Sequence, residues 1–158
     1  MIRELRREDR EPLRALVAAT GVFTADEVAI AVELIDAVLG VRGQKDYIIR
    51  VSEEEGAAAG YYCVGPTPAT EGTFDLYWIA VDPARQGKGI GARLDDHACA
   101  LVRGMGGRLL VAETSSRPAY TPTREFYLRR GYRELARIAA YYRPGDDLVV
   151  YGKYLTQP

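Results

Sequence analysis

Apolar positions along the chain follow two spacings. Glu8–Thr20 repeats Leu13, Leu16 and Val17 at helical intervals, and Asp9 with Pro12 reads as an N-cap and first turn. Thr24-Ala-Asp-Glu27 reads as a capping box. It opens a second helix carrying Val28, Ala31, Val32, Ile35 and Val38–Leu39, and Gly40 stops it. Gly89–Arg103 is amphipathic, with Ile90, Leu94, Ala98, Leu101 and Val102 on one face, and Gly104, Gly106 and Gly107 end it. Pro122–Arg130 is a short helix, with Thr121 as its expected N-cap and Gly131 beyond its end.

Strand patterns fill the rest. They cover Ile2–Glu4, Tyr47–Ser52, Ala59–Val64, Thr73–Val81, Arg108–Thr114, Tyr132–Ala140 and Leu148–Tyr154. Glu53–Gly56 and Pro144–Asp147 read as turns, Pro66–Gly72 reads as a loop, and Pro83 prevents the third long strand from continuing. Neighbouring strands in the middle of the chain imply antiparallel pairing. The β–α–β unit Thr73–Thr114 implies one parallel pair. The expected fold is α+β: a mixed, mostly antiparallel sheet with helices on both faces, in a single domain over residues 1–158.

Composition narrows the function classes. The chain is 47% hydrophobic and 27% charged, as expected of a globular domain with a real core. A net charge of -1 gives no positive field for nucleic acid. No apolar run approaches the ~20 residues that span a bilayer. Charges interrupt Met1–Arg10, so no signal peptide is read there, and a cytoplasmic location is expected. Cys63 and Cys99 have no ligand-like spacing, so neither a disulfide framework nor a metal site is expected. His97 is the only histidine. Its spacing from Ile90, Leu94 and Leu101 puts it at the edge of a buried helix face, roughly opposite Cys99.

Chemistry concentrates in Val81-Asp-Pro-Ala-Arg-Gln-Gly-Lys-Gly-Ile-Gly-Ala-Arg-Leu94, where Gly87, Gly89 and Gly91 separate a strand from a helix. The first helical N–H groups have no intrahelical acceptor and the helix dipole is positive there, so the stretch is a phosphate-cradle candidate. A nucleoside-triphosphate loop needs a hydroxyl after Gly87-Lys88, but Gly89 follows. A dinucleotide fingerprint fits Gly87-Lys-Gly89-Ile-Gly91-Ala92, with Glu113 near the expected ribose ligand. Against it, Asp82–Gln86 intervenes after the strand, and the motif follows several strands instead of opening a domain.

The whole stretch resembles the acyl-CoA loop of the GNAT superfamily of N-acetyltransferases. Gln86-Gly-Lys-Gly89-Ile-Gly91 matches Q/R-x-x-G-x-G/A. Asp75-Leu-Tyr-Trp-Ile-Ala-Val-Asp-Pro precedes it, and Glu125-Phe-Tyr-Leu-Arg-Arg-Gly-Tyr132 follows in family order. Asp95 departs from the pattern, because relatives carry an apolar residue after Leu94.

The resemblance implies acetyl-CoA as co-substrate, without metal. It implies that Gln86, Gly87, Lys88, Gly89, Ile90 and Gly91 hold the pyrophosphate, and that pantetheine pairs with backbone near Ile79 and Val81. Arg85 and Lys88 could add charge. The Val81 N–H would face the thioester oxygen, and Tyr127 occupies the position of the acid. Tyrosine at pKa ~10 can protonate a departing thiolate of pKa ~8.5. Asp75 and Glu113 compete as the base, and neither is required for a weakly basic acceptor.

The expected acceptor is a primary amine of a small molecule. The alternatives are a protein N-terminus, a lysine, or a CoA sensor without turnover. Tyr120, Tyr141 and Tyr142 suit an aromatic acceptor wall, the helix pair Thr24–Leu39 suits a roof, and Arg117, Arg124 and Arg143 could hold a carboxylate or a CoA phosphate. The expected partners are that amine and, for the assembly, a homodimer, with neither nucleic acid nor membrane.

Overall fold

The computed structural model describes residues 1–157. Seven strands hydrogen-bond in the order β1-β2-β3-β4-β5-β7-β6: β1 Ile2–Glu4, β2 Ile48–Glu54, β3 Ala57–Pro66, β4 Thr73–Val81, β5 Leu109–Ser115, β6 Arg133–Arg143 and β7 Asp146–Tyr154. Four α-helices connect them: α1 Arg10–Ala19, α2 Ala25–Gly40, α3 Ile90–Gly104 and α4 Thr121–Arg129. The chain divides into two compact units. One comprises residues 1–65 and 77–98, and the other residues 66–76 and 99 onward.

In the first unit, β1 pairs antiparallel with β2, and β2 with β3. Glu55 (φ 54°) and Gly56 (φ 77°) make the hairpin turn, so both strands run further than their apolar residues suggest. Two consecutive left-handed residues match the twist of the flanking strands. Alternation along β3 then sorts side chains to two faces. Tyr61 and Cys63 join Leu13, Leu16, Val17, Ala31, Ile35, Ile49, Val51 and Ala80 in a core under α1 and α2. Gly60 and Tyr62 face α3. A Cβ at Gly60 would stand 2.8 Å from the Ala80 carbonyl oxygen and 3.1 Å from Leu94 Cδ1, so β3 and α3 meet without a side chain between them. Burial pushes the Cys63 thiol up to about 12.

Helix ends confirm the cap at Thr24, keep Asp9 in its expected position without a side-chain cap, and correct Thr121. Thr24 Oγ1 accepts from the Glu27 amide at 3.2 Å, and Glu27 Oε2 accepts from the Thr24 amide at 2.6 Å, closing the capping box. Asp9 holds the expected N-cap position of α1, but its side chain makes no cap hydrogen bond. It ends a 3-10 turn, Arg7–Asp9, and accepts from the Arg6 amide at 2.8 Å and from both Arg3 guanidinium nitrogens at 2.7 and 2.9 Å. Burial alone would raise the Asp9 carboxyl, but these hydrogen bonds and charges hold it below its ordinary value. Thr121 lies inside α4, because a 3-10 turn, Pro118–Tyr120, precedes the helix.

In the second unit, β4 pairs parallel with β5 from Thr73↔Leu109 to Asp75↔Val111. Strand β5 pairs antiparallel with β7, and β7 with β6. Asp146 opens β7 almost fully buried. It accepts from Ser115 Oγ and pairs with Arg117 Nε at 3.4 Å and Arg143 Nε at 3.8 Å. All eleven residues of β6 are exposed.

Candidate active site

The glycine stretch is a loop held at both ends and open between them. After β4, the Asp82 carboxylate accepts from the Ala84 amide at 3.0 Å and starts the 3-10 turn Pro83–Arg85. Gln86 is extended, and Gly87 (φ 78°) and Gly89 (φ 73°) are left-handed. A Cβ at Gly87 would meet nothing within 4 Å, and one at Gly89 would meet only Arg93 Nη1, at 3.7 Å. Glycine is therefore required for backbone conformation and not for room inside the protein. Ile90, 2% exposed, anchors the start of α3. The Arg93 amide closes the first turn onto the Gly89 carbonyl at 3.1 Å. The amides of Ile90, Gly91 and Ala92 have no acceptor within the helix and lie at its positive end. Gln86, Gly87, Lys88 and Gly89 are exposed, so an anion can approach.

Of the two cations assigned to this loop, Arg85 is engaged. It donates to the Glu54 carbonyl at 3.1 Å and lies 3.6 Å from Asp82 and 4.0 Å from Glu55. Lys88 is exposed. Its carbonyl accepts from Arg93 Nη1 at 3.0 Å, and Arg93 Nη2 reaches Glu54 Oε1 at 2.7 Å. That hydrogen bond holds the Glu54 carboxyl below its usual range. The sequence reading did not single out Glu54 or Arg93. Arg93 lies in the first turn of α3, a detectable signal. Glu54 arrives only through the β2–β3 hairpin, which no local motif announces.

In the same unit, Ile79 and Val81 on β4 are half-buried. His97 accepts or donates at Nδ1 with the buried Tyr62 hydroxyl at 2.8 Å. Burial, aided by the charge of Arg50, lowers its pKa. It is the partnered boundary histidine its spacing predicts. Asp95 is fully buried and does not displace Leu94, also fully buried, from the core face of α3.

The proposed acid and the two candidate bases lie in the second unit. Tyr127 is 5% exposed, its ring centroid 5.1 Å from Tyr132, 5.6 Å from Tyr151 and 5.8 Å from Phe126. Asp75 is half-buried and accepts from Thr67 Oγ1 at 2.8 Å. Glu113 is exposed on β5, opposite Val150 of β7. The three arginines are engaged in the fold. Arg117 and Arg143 share Asp146, and Arg124 donates to the Ser115 and Arg117 carbonyls at 2.8 and 2.9 Å. Tyr120 is buried beneath the Arg117 guanidinium, while Tyr141 and Tyr142 are exposed. Among the described residues no group of three or more His, Cys, Asp or Glu side chains is placed to hold a metal ion.

A left-handed glycine loop feeding a helix N-terminus, after a strand of a mixed sheet, is a cradle for a phosphate-bearing ligand, and comparison with known proteins gives its class. Residues 45–134 match the family model described as the acetyltransferase (GNAT) domain. A solved structure from Desulfovibrio desulfuricans, described as an acetyltransferase of the GNAT family, is 44% identical, with a TM-score of 0.95 and 99% of each chain covered.

The chain belongs to the GNAT acetyltransferase family and is an acyl-CoA-dependent N-acetyltransferase with acetyl-CoA as co-substrate. More distant solved structures share the fold. An aminoglycoside 6'-N-acetyltransferase complexed with coenzyme A is 15% identical (TM-score 0.78, 100% of this chain and 98% of that one). The ribosomal-protein-S18-alanine N-acetyltransferase from Escherichia coli is 19% identical (TM-score 0.77, 100% and 95%). No curated protein matches the chain.

Proposed function

We propose that the protein transfers the acetyl group directly to a primary amine of a small molecule, in a ternary complex without a covalent acyl-enzyme. The observation that carries this reading is the exposed loop with left-handed Gly87 and Gly89 at the mouth of the 15-residue α3. In it, the backbone from Gln86 to Gly91 grips the diphosphate of CoA. Pantetheine runs along β4 and hydrogen-bonds to backbone at Ile79 and Val81 as an added strand would. These residues lie beyond Thr73–Asp75, the part of β4 in register with β5.

The chemistry follows from the charge that develops. The amine lone pair attacks the thioester carbonyl carbon, and the Val81 N–H stabilises the oxyanion that forms. The C–N bond forms and the C–S bond breaks. Tyr127 Oη gives its proton to the departing thiolate. The nitrogen loses its proton through water to Asp75 or Glu113. The GNAT fold alone names no acceptor.

Thiol release from acetyl-CoA, measured against a panel of small amines and against peptides with free N-termini or lysines, tests the reading. Release dependent on a small amine is the expected result. Release with peptides alone would replace the acceptor class. CoA binding without release on any amine would favour the sensor reading.

A further inference from the structure

Glu54 is the last residue of β2 and lies far in sequence from the loop. It nevertheless receives hydrogen bonds from both of the loop's flanks. On the leading side, Arg85 donates to its carbonyl at 3.1 Å. On the trailing side, Arg93 donates to its carboxylate at 2.7 Å. The same Arg93 guanidinium donates from its other nitrogen to the Lys88 carbonyl at 3.0 Å. A trans peptide is planar, with its C=O and N–H pointing in opposite directions. Holding the Lys88 carbonyl toward Arg93 therefore aims the Gly89 N–H away from Arg93. In a loop with two left-handed glycines, that peptide plane is otherwise cheap to rotate.

We propose that the Glu54 side chain is a positioning group for CoA: through Arg93 it fixes the Lys88–Gly89 peptide plane, so that the loop amides are aimed before the diphosphate arrives, while the Arg85 bond to its main-chain carbonyl, kept whatever the side chain, holds the start of the loop. This rests on the reading that the loop binds that diphosphate. Two opposing effects act on affinity. Coulomb's law alone makes a carboxylate near an anion site unfavourable, so its removal should tighten binding. Preorganisation has the opposite sign, because a loop already held in its bound shape loses less freedom on binding. The pair is partly exposed, with side-chain exposures of 50% for Arg93 and 34% for Glu54, so screening keeps the effect modest.

The test is calorimetric titration of CoA into wild type, Glu54→Ala and Glu54→Gln, with pantetheine affinity read in parallel by NMR shift titration. Pantetheine lacks the diphosphate. Glu54→Ala should raise the CoA Kd about three- to tenfold and leave the pantetheine Kd unchanged. Glu54→Gln, which keeps an acceptor for Arg93, should fall between the two. CoA affinity in Glu54→Ala equal to or tighter than wild type would overturn the proposal. Equal losses for CoA and pantetheine would also overturn it, since a general loosening of the fold acts on both. Wild type that fails to bind CoA would instead contradict the reading of the loop beneath it.

Discussion

Tyr127 combines a buried ring with a proposed role, proton donation, that needs only its hydroxyl. Three aromatic neighbours, Phe126, Tyr132 and Tyr151, keep the side chain in place, so a phenylalanine can occupy the same volume. Removing the oxygen then tests proton donation with little change in packing. Tyr127→Phe should lower kcat about 10²-fold while KM for acetyl-CoA changes less than about twofold. A kcat unchanged across pH would remove Tyr127 from the chemistry. The ring contacts were not legible in the sequence. Tyr151 approaches Tyr127 through the register of β7 with its neighbours, whereas Tyr132 returns to it locally at the end of α4, its amide donating to the Tyr127 carbonyl at 3.0 Å.

At the scale of elements, the sequence specified most of what positions the loop. β1 and β4 have the expected bounds, and α3 and β5 lie within one residue of theirs. The signals there were strong because alternation and helical spacing are dictated by burial. The misses lie at ends. Asp9 and Thr121 are good cap residues, but Asp9 stands at the N-cap position with its carboxylate turned to other donors, and the 3-10 turn before α4 leaves Thr121 inside that helix. For Asp9 the competing partner is Arg3, six residues earlier in the chain. Hairpin strands overran their expected ends because two residues, Glu55 and Gly56, suffice for the turn.

α3 packs on β3 at Gly60, beside the Tyr62–His97 hydrogen bond. Gly60→Ala would bring its methyl 2.8 Å from a backbone oxygen that cannot move aside like a flexible side chain. Denaturant unfolding should show a loss of about 1–3 kcal/mol. A loss below about 0.5 kcal/mol would mean that the backbone around Ala80 and the Leu94 side chain can give way at this point without penalty.

For the whole molecule, family membership was legible because the glycine stretch and the Glu125–Tyr132 segment stand in order along the chain. The acceptor was not. Its determinants are side chains that the fold gathers from distant positions, and several that looked available are engaged elsewhere: Arg117 and Arg143 with Asp146, and Arg124 with backbone carbonyls. No helix among the described residues is long and apolar enough to cross a membrane. Along β6 every residue is exposed, which leaves one edge of the sheet open.

The central claim is that the main-chain amides from Gln86 to Gly91 bind the diphosphate of CoA. Amide ¹H–¹⁵N shifts followed during titration with CoA, and separately with inorganic pyrophosphate, test it most directly. The amides of Gly87, Lys88, Gly89, Ile90 and Gly91 should move with both ligands, while those of Ile79 and Val81 should move with CoA alone. Saturation with CoA that leaves the loop amides in place would contradict the account.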